Sequence, residues 1–233
     1  MRYGNWLLLL ALTLPCLAQT VYKQSAGAGN TVSNPATTTA ADFSAANAIV
    51  IGIPNYNTSS CAVTPSSTPS NTWTALGSNI VNGTVNLCGW TCTIPCSVSA
   101  SMTFTVTNSY PYIFVEGFSG AGSYSGYTST TNSLGTCAPG TVTPTQANSA
   151  VVTVLADNSS TTATQPAGYT VQPAQNTTTS FMGKAMAYII TSTASVPAWA
   201  ETATNQACFA VAVNATGGGG AVLHTLSLLG VGR

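Results

Sequence analysis

The chain predicts an all-β fold, an antiparallel β-sandwich or jelly roll of about ten strands preceded by an N-terminal signal peptide. Three observations lead there. Apolar residues recur with a period of two, or in short runs rich in Val, Ile and aromatics, and almost no window carries a helical stripe. Turn residues (Gly, Pro, Asn, Ser) punctuate the chain about every dozen positions. Only 3% of the 233 residues are charged, so Ser, Thr and Asn must supply solubility, as they do on exposed strand faces.

Residues 1–18 have one Arg, an apolar run from Trp6 to Leu14, and small residues around Ala18. This is the layout of a secretory signal cleaved after Ala18, with a core too short to span a bilayer. Residues 19–216 form the expected sandwich domain. Gln19 to Ser25 reads as an edge strand, and Gly27 to Ala41 as irregular. Ala48 to Ile53 (AIVIGI) is a buried strand closed by Pro54, and the polar stretch from Asn55 to Ser70 is a loop. Thr72 to Leu76 and Val81 to Trp90 follow as short strands, with Asn82-Gly83 as a tight turn between them.

Met102 to Gly120 (MTFTVTNSYPYIFVEGFSG) reads as the core hairpin. Met102, Phe104 and Val106 alternate with threonines, while Tyr112 to Phe118 is apolar on both faces, as in a strand covered from both sides. Ser119 to Thr136 is rich in Gly, Ser, Thr and Tyr and reads as a loop. Thr141 to Thr145 leads into the buried strand Ala150 to Ala156 (AVVTVLA). Tyr169 to Val171, Phe181 to Thr191 and Ala207 to Val213 (ACFAVAV) complete the set. Residues 217–233 are a Gly-linked apolar tail, fit for a last strand or for strand addition to a neighbour.

Cys16 leaves with the signal, and Cys61, Cys88, Cys92, Cys96, Cys137 and Cys208 remain. An even set in an exported chain predicts disulfides, with Cys92 to Cys96 as the preferred local pair around Pro95. The spacing lacks the Cys-x-x-Cys knuckle and nearby His of a zinc site. No metal or cofactor is implied.

Among candidate functional residues Glu116 stands out, because a carboxylate in the middle of an apolar strand needs a partner. Alternation places it with Tyr112, Phe114 and Phe118, which suits a sugar-binding face of stacked rings and one carboxylate. A structural ion pair with Lys184, the one lysine inside a strand, is a second reading. Hydrogen bonding to backbone or hydroxyls, and promotion of an amide between Lys184 and an Asn or Asp, are others. Tyr124 and Tyr127 supply a second candidate binding element, set among Gly and Ser as in adaptable binding loops.

Catalysis on such a scaffold would need convergent groups. Asp42, Glu116, Asp157 and Glu201 are the only carboxylates, no two share a strand, and the sole histidine, His224, lies in the tail. The expectation is therefore not an enzyme. Lys and Arg together number four, so affinity for nucleic acid has no source, and no span of the mature chain suits a membrane.

The succession AIVIGI, TPSSTPSNTWTAL, VNLCGW, MTFTV, YIFVEGFSG, AVVTVLA, AGYTV and ACFAVAV resembles exported bacterial β-sandwich domains of concanavalin-like or jelly-roll type and uncharacterised function. Asn71, Thr72 and Trp73 match one of their short motifs, and Glu116 to Gly120 another, over a span from Val21 to Ala215. The resemblance implies a sandwich and leaves activity open. The expected role is a secreted, disulfide-stabilised structural or adhesive protein of the cell surface or extracellular matrix, with self-association or a surface glycan as partner. The alternative is a carbohydrate-binding, lectin-like module.

Overall fold

Long strands buried on both faces need a layer on each side, and the computed structural model supplies them. It describes residues 35–56, 64–107, 112–159, 162–171, 185–202 and 205–217. Among these are fourteen strands in four antiparallel sheets and no helix. One central sheet has the order β4 (Trp73–Asn82), β5 (Val85–Cys92), β2 (Ala48–Tyr56), β7 (Phe114–Phe118). The other runs β11 (Thr170–Val171), β12 (Ala185–Thr191), β10 (Ser149–Asp157), β14 (Gln206–Ala215), β8 (Ala121–Asn132).

Alternation along these strands divides the interior into three cores. Val50, Leu87, Phe114 and Phe118 from the first sheet meet Val152, Val154, Met186, Phe209 and Val211 from the second, forming the sandwich core. The reverse face of the first sheet, with Ile49, Ile51, Trp90 and Val115, packs on Phe104, Val106 and Ala36. Those residues belong to a three-stranded cover in the order β1 (Ala36–Thr37), β6 (Thr103–Val106), β3 (Ser66–Thr68). The reverse face of the second sheet, with Val151, Leu155 and Ala210, packs on Trp199 and Cys137. They come from a two-stranded cover of β13 (Trp199–Glu201) and β9 (Gly135–Cys137). The sandwich is thus four layers deep, and each fully buried Phe, Leu or Ile contributes about 1.5–3 kcal/mol.

Two glycines set the spacing of the central layers. Gly52 and Gly89 are cross-strand partners in β2 and β5. A Cβ at Gly52 would lie 2.8 Å from Val154, and one at Gly89 would lie 3.0 Å from Phe209, so the missing side chains admit residues of the facing sheet.

Several local expectations are overturned: β2 runs through Pro54 to Tyr56, β3 lies inside the stretch from Asn55 to Ser70 read as a loop, and Val81 and Asn82 end β4 instead of opening β5. The runs around Met102 and Phe118 do not form a hairpin, because β6 pairs with β1 and β3 while β7 pairs with β2, one layer deeper. A run with one apolar face serves as a cover, and a run with two serves inside. The Ser119 to Thr136 segment is not a loop either, since most of it is the edge strand β8. The expected signal peptide, the strand from Gln19 to Ser25 and all but the first residue of the tail lie outside the described residues.

Candidate functional site

β7 alternates Phe114, Glu116 and Phe118 toward the sandwich core and Val115 toward the three-stranded cover. Glu116 is fully buried opposite Val50 of β2, and neither of its carboxylate oxygens has a hydrogen-bond partner among the described residues. Burial alone pushes its carboxyl well above the usual carboxylate range, keeping it protonated where an exposed glutamate is charged. Tyr188 of β12 stands nearby, its ring 5.9 Å edge-on from Phe118. Its phenol is raised by burial and, secondarily, by the field of Glu116.

The sugar-binding face composed of Tyr112, Phe114, Glu116 and Phe118 is corrected by this geometry. All four are at most 1% exposed, with the second sheet over them, so their rings offer no stacking surface. The ion pair of Glu116 with Lys184 rests on a residue outside the described ones.

Tyr124 and Tyr127 lie on β8 and mark the seam where the edges of the two central sheets meet. β4 and β8 run side by side. Asn82 Nδ2 donates to the carbonyls of Asn132 (2.6 Å) and Gln206 (3.1 Å) at one end. In the middle the Tyr127 ring fills the space above Gly77, where φ is +66° and a Cβ would collide with the ring. Beyond that point the strands part, leaving a cleft of about 440 Å³ between Thr74, Leu76, Thr91, Cys92, Thr93 and Ile94 on one side and Gly122, Ser123 and Tyr124 on the other. The Tyr124 hydroxyl donates to the Ile49 carbonyl (3.2 Å) and accepts from the Ile49 amide (3.0 Å), which clamps the ring at the base of the cleft. Burial raises that phenol further above its ordinary value than the Ile49 hydrogen bond lowers it.

The remaining described carboxylates hold turns and loops. Asp42 Oδ1 accepts from the amide (2.8 Å) and hydroxyl (2.6 Å) of Ser44. Asp157 and Glu201 converge on one residue: Ser159 donates its amide to Asp157 Oδ1 (2.8 Å) and its hydroxyl to Glu201 Oε1 (3.1 Å). Glu201 also accepts the Thr202 amide (2.8 Å) and borders a second cleft, of about 420 Å³, with Thr136, Thr162 and Thr164. Sequence reasoning missed this convergence, and no local signal carried it, because the two acids come from β10 and β13. No group of His, Cys, Asp and Glu among the described residues is arranged to hold a metal ion.

Cys92 and Cys96 form the expected local disulfide, with Cα atoms 5.7 Å apart. Cys137 of β9 is bonded to Cys208 of β14, which staples the two-stranded cover to the second central sheet. Cys88 is disulfide-bonded as well, and Cys61 lies outside the described residues. Comparison of the chain with protein-family models, with curated proteins and with solved structures gives no match.

Proposed function

We propose that this protein is an exported structural or adhesive component of a cell surface or extracellular matrix, a disulfide-stabilised block that associates with copies of itself along the β4 and β8 side. The observation that carries the reading is the chemistry of that side. Its two long edge strands, WTALGSNIVN and AGSYSGYTSTTN, contain no charged residue, and most of their side chains are partly or fully exposed. Edge strands of monomeric proteins are usually guarded by lysines or inward-pointing charges. Here the guards are a bulge in β4 between Leu76 and Ile80 and an irregularity in the β8 ladder. A formal net charge of zero also leaves little long-range repulsion between copies. The proposed export follows from the signal-like leader and agrees with an interior cross-linked by disulfides.

Sedimentation of the full chain over a hundredfold concentration range tests the reading. The wild type is expected to form larger species as concentration rises, and Val81→Lys with Ser129→Lys to remain monomeric. A wild type that stays monomeric throughout overturns it.

A further inference from the structure

We infer that the cleft at the parting of β4 and β8 is a binding site for a neutral, hydroxyl-bearing ligand, a short segment of uncharged polysaccharide. Its lining selects the chemical class by elimination. Thr74, Thr91 and Thr93 line the cleft together with Ser123, whose hydroxyl accepts from Asn214 Nδ2 (3.2 Å), and none of the lining residues carries a formal charge. A charged ligand would lose hydration there without gaining a counter-charge. A wholly apolar ligand would cover hydroxyls and leave them unpaired. Leu76, Ile94 and the Tyr124 ring supply an apolar wall beside those hydroxyls. A pyranose has the matching character, with hydroxyls around its rim and C–H groups on its faces.

The walls are also fixed in advance. Tyr124 is held at both lone pair and proton by the backbone of Ile49. The Cys92 to Cys96 disulfide closes the short segment that presents Thr93 and Ile94. A site already in its bound shape loses less entropy on binding, which suits a weak, neutral ligand that brings no ionic attraction. The cleft volume falls within the range of small-molecule sites. The cleft lies on the same β4 and β8 side as the proposed self-association, so ligand and second copy would compete for that surface.

The test is titration of the full chain, followed by NMR and calorimetry, with cellotetraose, laminaritetraose and maltotetraose as neutral probes and trigalacturonic acid as a charged one. At least one neutral tetrasaccharide is expected to saturate, shifting the resonances of Thr93, Ser123 and Tyr124, while trigalacturonic acid does not. Thr93→Val is expected to weaken that binding about fivefold, as the loss of one hydrogen bond implies. Thr74→Arg, at an exposed position of the rim, is expected to abolish it with an unchanged circular dichroism spectrum. Saturation by none of the neutral probes, equal binding of the charged one, or an affinity indifferent to these substitutions overturns the proposal. With the titration run at a concentration where the chain sediments as a monomer, failure here leaves the association reading standing, and the converse holds.

Discussion

The two outer layers solve one problem in opposite ways. Each must cover the back of a central sheet with strands too short to be stable alone. The three-stranded cover does it with aromatic area: the Phe43 and Phe104 rings meet edge-on at 5.2 Å, Trp73 stands 6.1 Å from Phe104, and Trp90 closes the floor. Volume takes precedence over polarity there, for the indole nitrogens of Trp73 and Trp90 are buried without a hydrogen-bond partner among the described residues. The two-stranded cover sits on a floor of small residues, including Ala185, Ala187, Ala210 and Ala212. It relies on one tryptophan and one cross-link. Trp199 Nε1 donates to Thr153 Oγ1 (3.0 Å), which donates in turn to the Phe209 carbonyl (2.9 Å), and Cys137 is bonded to Cys208. Disulfides serve both layers, since Cys88, Cys92 and Cys96 lie in the core under the three-stranded cover, so the hydrogen-bonded tryptophan is what sets the two-stranded cover apart.

The contrast can be broken most forcefully at the cysteines. The Cys137 to Cys208 disulfide spans 71 positions, and loop-closure entropy assigns it about 4 kcal/mol. Replacing both residues with Ala should lower the denaturant midpoint by a corresponding amount. Removing the Cys92 to Cys96 bond, which spans 4 positions, should cost about 2 kcal/mol in the same assay. Equal losses would mean that chain entropy does not govern the difference.

A smaller effect separates the two layers by polarity. Trp199→Phe discards a donor that Thr153 receives, so it should cost about 1 kcal/mol more than Trp90→Phe, which discards a donor with no partner. Chemical denaturation of the pair measures this, and the reverse order would contradict the assignment of roles.

The last prediction concerns the core that both covers enclose. Because burial raises the Glu116 carboxyl in the folded state, the native protein holds a proton that the unfolded chain releases above its ordinary value near 4.5. Stability should therefore fall as pH rises from about 4.5 toward the folded-state value, and be unaffected by this group at lower pH. Glu116→Gln should flatten that decline while leaving stability at pH 4 nearly unchanged. A variant with the wild-type pH profile would show that the carboxyl is not the source.

How much of this was legible in the chain follows from how locally each feature is encoded. The all-β class and the strands β2, β5, β10 and β14 were readable because residues apolar on both faces leave a continuous record. The Cys92 to Cys96 bond was readable from its short spacing. The depth of four layers was not. β1, β3, β9 and β13 have two or three residues each, too few to display a period, and their partners lie far away in the chain. β8 resembled a loop because an edge strand rich in Ser and Thr needs no apolar alternation. At the candidate sites, Glu116 was correctly singled out as anomalous, but its neighbours were read as a binding face when both sides of β7 are interior. The seam cleft escaped notice because it is made by residues 74–76, 91–94 and 122–124, which only the meeting of two sheets brings together.

The Cys137 to Cys208 bond also has a mechanical meaning. If the molecule is pulled from its two ends, the 71 positions between those cysteines cannot be paid out, which withholds roughly 240 Å of contour length at full extension. Load applied across the block then runs through the cross-link, so the segment that carries β10 and β12 is not itself stretched until the bond is cut.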